Sequence, residues 1–198
     1  ERINKKTKAI MVVHLFGHPV DKETVLELAK KYNLKIIEDC AESHGVEYKG
    51  KKVGSIGDVG AFSFFANKTI TCGEGGMVVT NSTEIGEKAK SLKNLSYGKI
   101  NKFMHDDIGF NYRLPNISAA LGLGQFESIK NVFKEKDRIY NRYKKNLENI
   151  KGINIPKIMD WTTKYIMWVF NIYLDKNFPV SRDELTKILK DKNIDTRD

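Results

Sequence analysis

Residues 61–80, AFSFFANKTITCGEGGMVVT, hold a single lysine, Lys68, between an apolar strand-like run and a glycine turn that leads into a second apolar run. An amine fixed on a short loop between two buried strands adds little to packing and is well placed for carbonyl chemistry. Upstream, Ile36-Ile37-Glu38-Asp39 ends another apolar run in a carboxylate. Together Lys68 and Asp39 point to a pyridoxal 5'-phosphate (PLP) site, because that cofactor needs an amine for its aldehyde and an acid beside its pyridine nitrogen. Ser63, on the run that leads to the lysine, can give one of the hydrogen bonds a phosphate requires. Gly73, Gly75 and Gly76 allow the backbone to come close. Taken singly, Asp39 reads equally well as a turn or capping acid, and Lys68 as a surface lysine. The pairing carries the reading.

The elements that must position these groups follow from periodicity. Ala9–Val13 reads as a buried strand, and His14 to Asp21 as a loop broken by Gly17 and Pro19. Asp21 can cap a helix over about 22–32, where Val25, Leu28, Ala29 and Tyr32 share one face. Asn33 ends it, and Lys35–Glu38 is the next strand. Strand, helix and strand in about 30 residues form a βαβ unit, which implies a parallel sheet covered by helices. Asp39 then falls just past the carboxyl end of a strand, the edge where open α/β sheets bind ligands. Residues 45–57 read as an exposed loop or hairpin, and Val59–Phe65 and Met77–Thr80 as strands flanking the Lys68 loop. Ser82 caps a helix near 84–94, and 95–110 has no periodicity. After Pro115 a helical pattern runs to about Asn149 with a break near Gly122–Gly124. Its second half carries Val132, Phe133, Ile139, Tyr140, Tyr143 and Leu147 on one side, as in a helix lying on its own domain. Gly152 and Pro156 mark a boundary, 165–174 reads as a strand, and Ser181 caps a last helix to about Lys192. The division predicted is 1–125 as part of a large PLP-binding domain, 126–150 as a connecting helix, and 151–198 as the start of a small C-terminal α+β domain.

Composition narrows the function classes. A hydrophobic content of 40% over 198 residues supports a real core, and no run approaches membrane-spanning length. The opening ERINKKTK has neither the apolar stretch of a signal peptide nor a starting methionine, so the chain reads as a piece of a longer one. Two cysteines make no disulfide framework, and the cytoplasm is the simplest compartment. The net charge of +9 invites nucleic acid, but the lysines are spread along the chain among 25 acids and form no basic block with interleaved aromatics. Neither a nucleic-acid nor a membrane partner is expected. His14 and His18 are four apart, but Gly17 and Pro19 argue against a helix there, so no metal pair is expected. His105-Asp106-Asp107 sits in an irregular stretch without a second ligand group. Cys72 reads as packing, and Trp161 and Trp168 as core or interface residues.

Three segments, EDCAESHG, GAFSFFANKTITCGEGGMVVTN and GFNYRLPNISAALGLGQ, match in order and spacing three consecutive signatures of the DegT/DnrJ/EryC1/StrS sugar aminotransferases. The resemblance runs through essentially the whole chain. The wording HLFGHPVD and VEYKGKKVG most resembles the GDP-perosamine synthase branch. The resemblance implies the PLP-dependent transferase fold type I, aspartate-aminotransferase-like, as a homodimer with shared active sites. By position Lys68 matches the Schiff-base lysine, Asp39 the pyridinium partner and Ser63 a phosphate ligand. Asn111 and Arg113 match residues that reach the neighbouring subunit's cofactor phosphate region. His44 follows the cofactor motif and reads either as a substrate contact or, at least as well, as packing. Related sugar dehydratases carry histidine at the lysine position, so Lys68 argues for transamination. Glu42 departs from the usual glutamine near the cofactor's phenolic oxygen, and a carboxylate there is expected to raise the Schiff-base pKa relative to Glu42→Gln.

The implied reaction moves an amino group from L-glutamate to the 4-keto carbon of a nucleotide-linked 4-keto-6-deoxy sugar, feeding surface polysaccharide or glycan synthesis. The alternatives are a dTDP- or UDP-linked keto sugar as acceptor, or a catalytically inactive PLP-binding regulator. The resemblance also implies that a Gly-Thr phosphate turn and a ring-stacking residue precede this stretch and that the rest of the small domain follows it. The 198 residues alone are then expected to be an incomplete enzyme.

Overall fold

The computed structural model describes residues 2–98, 100–101 and 103–197. Its main sheet has the order β1 (Ala9–Val13), β2 (Lys35–Asp39), β5 (Val59–Ser63) and β6 (Gly76–Val79). The first three strands are parallel and β6 runs antiparallel to β5. The crossover between β1 and β2 is α1 (Lys22–Tyr32). The Asp21 carboxylate accepts the Glu23 N–H at its start, and Asn33 ends it in the left-handed region at φ +51°. Val12, Ala29, Leu34 and Ile36 form the core between helix and sheet. This βαβ unit is the one the periodicity predicts. Met11 and Val13 on β1 and Met77 and Val78 on β6, the two outer strands, are exposed.

A second core gathers Cys40, Val46, Val53 and Ile166, with Phe62 and Phe133 against it. It explains why residues 45–57 are more than an exposed hairpin. β3 (Glu47–Tyr48) and β4 (Lys51–Lys52) do pair, but β8 (Thr162–Lys164) joins them as a third strand, and Val46, Tyr48 and Val53 are buried. β7 (Ile153–Asn154) pairs with β9 (Tyr173–Leu174). The strand expected over 165–174 is therefore cut to its last residues. Ile166 and Met167 are buried, and Gly17 lies so close that a Cβ there would sit 1.9 Å from the Ile166 carbonyl oxygen. The segment packs face-on against the 14–18 loop.

α2 (Thr83–Lys93) starts at Ser82, whose hydroxyl accepts the Ile85 N–H, and α5 (Arg182–Asp191) at Ser181, in a full capping box with Glu184. The long helical pattern divides into α3 (Asn116–Glu127) and α4 (Ile129–Leu147) at Ser128 rather than at Gly122–Gly124. Gly122 stays helical. Its missing side chain makes room for the Cys72 sulfur, which a Cβ would meet at 2.5 Å. α4 lies on its own chain as expected, with Tyr143 stacked on Phe170 and Tyr140 edge-on to Tyr165. No described helix is long and apolar enough to cross a membrane.

Candidate active site

Parallel pairing sets Val13, Asp39 and Ala61 side by side at the carboxyl edge of the sheet. Residues in register share a face, and so do residues two apart on one strand. Asp39 and Ser63 therefore project from the same face. One Asp39 carboxylate oxygen accepts the Ala41 N–H at 3.0 Å, and the other takes no hydrogen bond from the described residues. The Ser63 hydroxyl oxygen accepts the Phe65 N–H at 3.3 Å, which leaves its own proton to give.

Lys68 sits on the loop between β5 and β6, its N–H bonded to the Phe65 carbonyl at 3.0 Å. The loop is closed at its base by Phe64 N–H to Gly75 O (2.8 Å) and Cys72 N–H to Phe64 O (2.9 Å). Gly75 has φ +139°, which favours glycine, and the Leu114 side chain fills the space a Cβ would need. From α3, the Gln125 amide clamps Thr71 twice, accepting its N–H and donating to its carbonyl, both at 3.0 Å. The Lys68 ammonium lies 4.1 Å from the centroid of the Trp168 ring, and the Trp168 indole N–H donates to the Asn67 carbonyl at 2.9 Å. The sequence places neither Gln125 nor Trp168 in the site. A glutamine inside a helical pattern and a tryptophan in an apolar run carry no local signal of such a role.

His44 is buried between Phe62 and Phe64, with ring centroids 5.7 and 5.8 Å away, and neither ring nitrogen has a hydrogen-bond partner among the described residues. Burial, reinforced by the positive charge of Lys68, brings its pKa down to about 4, so the ring is neutral at neutral pH. The Glu42 carboxylate accepts the Phe16 N–H at 2.8 Å. Asn111 and Arg113 hydrogen bond to one another at 2.8 Å on an exposed segment, and Asn111 bridges to Asn94 at the end of α2.

Behind Asp39 lies a polar knot that the sequence reading passes over. Glu38 is fully buried and accepts from Lys22 Nζ, from His14 Nε2 (3.1 Å), and from the Gly54, Ile56 and Gly57 amides (3.0, 2.8 and 2.6 Å). Burial alone would push its pKa up, but the hydrogen bonds from His14, Lys22 and the Gly57 and Gly54 amides outweigh it and hold the carboxyl well below the usual range. His14 Nδ1 accepts the Val20 N–H, so Nε2 carries the proton given to Glu38. The potential ligand atoms of His14, Glu38 and Cys40 lie within 4.8 Å of one another. The histidine and carboxylate are already committed, and burial followed by the nearby Glu38 charge pushes the Cys40 thiol up to about 12. The knot is structural. It ties the loop after β1, helix α1 and the 54–57 turn to the strand end that bears Asp39.

The donor set suits PLP: an amine for the aldehyde, a carboxylate oxygen left over for the pyridine nitrogen, and a hydroxyl proton for the phosphate. Such a donor set is the one a PLP-dependent enzyme requires. The DegT/DnrJ/EryC1/StrS aminotransferase family model matches residues 1–198, and the chain belongs to that family, whose members are PLP-dependent sugar aminotransferases. It is 44% identical over 197 residues to a GDP-perosamine synthase of Escherichia coli O157:H7, covering 100% of this chain and 53% of that protein. It is 37% identical over 202 residues to a dTDP-4-amino-4,6-dideoxy-D-glucose transaminase of Shigella dysenteriae, again covering 100% and 53%. Its fold superposes with a TM-score of 0.90 on the aminotransferase TlmJ from Streptoalloteichus hindustanus, at 25% identity, covering 100% of this chain and 53% of that one. The chain thus spans about half the length of the relatives it matches.

Proposed function

We propose that the protein transfers an amino group from L-glutamate to the 4-keto carbon of a GDP-linked 4-keto-6-deoxy sugar, with PLP as cofactor, in the making of a surface polysaccharide or glycan. The observation that supports the reading is Asp39 and Ser63 on one face of the sheet's carboxyl edge, with Lys68 on the loop that follows the strand bearing Ser63, in a chain 44% identical to a GDP-perosamine synthase. When bound, PLP supplies an aldehyde that exchanges amines and a ring that draws electrons from the carbon being deprotonated. Asp39 holds a proton on the ring nitrogen and so keeps the ring electron-poor. Lys68 Nζ removes the proton from the α-carbon of the donor, and in the second half-reaction it delivers one to the former ketone carbon of the sugar. Ser63 donates its hydroxyl proton to the phosphate.

The acting unit in this reading is a homodimer in which Asn111 and Arg113 serve the partner's cofactor phosphate. Phe103, Met104, Ile108, Phe110, Tyr112 and Ile117 are all exposed along the same stretch of chain, an apolar surface of the kind that subunits cover. The division at 1–125, 126–150 and 151–198 belongs to the same proposal. With the intact protein, borohydride should fix a yellow chromophore on the peptide containing Lys68, and glutamate should bleach it in an unreduced sample. Absence of the fixed peptide would refute the cofactor role, and fixing without bleaching would favour an inactive PLP-binding protein. The 37% identity to a transaminase of a dTDP-linked sugar makes dTDP- and UDP-linked ketones the comparison acceptors, and turnover with them in preference to the GDP sugar would move the assignment.

A further inference from the structure

Trp168 touches two consecutive residues of the catalytic loop in two different ways. Its indole N–H holds the Asn67 carbonyl, and its ring face lies under the Lys68 ammonium. An ammonium over an indole is attracted by the negative face of the ring, and tryptophan is the strongest of the aromatic partners. One rigid side chain therefore fixes both where the loop sits and where the amine on it points.

The ring is itself held. Phe16 stacks on it at 6.3 Å and 13°, and the Trp168 carbonyl accepts from Lys136 Nζ at 2.8 Å. Phe16 adopts φ +54°, a left-handed conformation uncommon for a bulky residue. Two contacts secure it: its N–H donates to Glu42 and its carbonyl accepts the Tyr165 hydroxyl at 3.2 Å. The near-contact of Gly17 with the Ile166 carbonyl locks this loop to the segment that bears Trp168. The frame thus reaches from Glu42, three residues beyond Asp39, through Phe16 to the indole and the amine.

We propose that Trp168 is a positioning residue for Lys68. Whenever the amine is not bonded to the cofactor aldehyde it rests on the indole face, and Glu42 supports that arrangement through Phe16. The proposal rests on Lys68 being the PLP lysine. Its test is run without cofactor, so it succeeds or fails separately from PLP binding.

In cofactor-free intact protein, competitive acetylation of Lys68 at neutral pH, followed by mass spectrometry of its peptide, reads how firmly the amine is held on the indole face. Trp168→Leu should raise the labelling rate about 5- to 30-fold, the range a partly desolvated cation–π contact implies, and Trp168→Phe should fall between. The deciding series replaces tryptophan by progressively fluorinated analogues in a Trp161→Phe background, which weakens the ring face and leaves the ring framework and its N–H in place. Labelling should climb with fluorine content, and a flat series would overturn the proposal. Independently, Lys68→Met should shift the indole emission of the protein, and the shift should vanish in a Trp168→Phe background. An unchanged spectrum on Lys68→Met would also overturn it. Failure of borohydride to fix PLP on Lys68 would refute the proposed function, and the fluorine series would still decide the contact.

Discussion

His44 gives the most quantitative expectation. Its ring is only 5% exposed and lies between Phe62, tilted to it, and Phe64, stacked on it, with no hydrogen bond to either nitrogen among the described residues. Burial first and the Lys68 charge second bring its pKa from 6.5 to about 4. The sign follows directly. Below pH 6.5 the unfolded chain takes up a proton here that the folded chain refuses, so stability falls as the pH falls from 6.5 towards about 4. That gap is worth about 3 kcal/mol in all, with a slope of about 1.4 kcal/mol per pH unit inside the window. Urea unfolding of the wild type and of His44→Phe, in steps from pH 7.5 to 4.5, measures it. Phenylalanine keeps the stack and loses the proton, so the difference between the two stability curves should open by about 1.4 kcal/mol per unit below pH 6.5. His18, also held below its ordinary pKa by burial, titrates in both proteins and cancels. Parallel curves would refute the reasoning. Lys68→Met should raise the His44 titration midpoint in imidazole NMR spectra, since it removes the second cause.

Glu38→Gln should destabilise the protein by about 3–5 kcal/mol, because it leaves the buried Lys22 ammonium without its counter-charge. Glu38→Gln/Lys22→Met should recover much of that loss in urea midpoints. The wild type should lose stability as the pH drops below 4.5, where the unfolded carboxylate protonates and the folded one does not, and Glu38→Gln should lack that component. Lys68→Ala should abolish borohydride fixing of the cofactor. Asp39→Asn should retain fixing but slow bleaching by glutamate about 100-fold or more, as read by stopped-flow absorbance. The midpoint of a visible-absorbance pH titration of the PLP-loaded protein should be lower in Glu42→Gln than in the wild type, and equal midpoints would count against a carboxylate acting on the cofactor's phenolic oxygen.

The strand–helix–strand that presents Asp39 was legible because each element repeats with its own period and Asp21 and Asn33 punctuate the helix. The place of Lys68 on a loop between two strands was legible because apolar runs flank it on both sides. Glu38 was not. Its five donors come from the 14–20 loop, the first turn of α1 and the 54–57 turn, and only tertiary structure brings these together. Lys22, at the start of an amphipathic helix, looks like a solvated first-turn residue until Glu38 is known to be buried. A charged residue inside the apolar run IIED was the available hint. Gly122 read as a breaker because the alternative, a close approach to Cys72, depends on a partner outside the helix. Trp168 read as core for the same reason: an aromatic in an apolar run is usually packing, and its ammonium partner lies far away in sequence.

The junction at Ser128 gives α3 and α4 a mechanical consequence. α3 grips the amine loop through Gln125 and Thr71, while Lys136 on α4 grips the carbonyl of Trp168. The loop that bears the lysine and the backbone that bears the ring are therefore held by two successive helices that meet at Ser128, so a change at that junction reaches both. A single residue inserted at the junction would rotate one half against the other by about 100°, swinging the indole away from the amine while every side chain of the pair stayed intact.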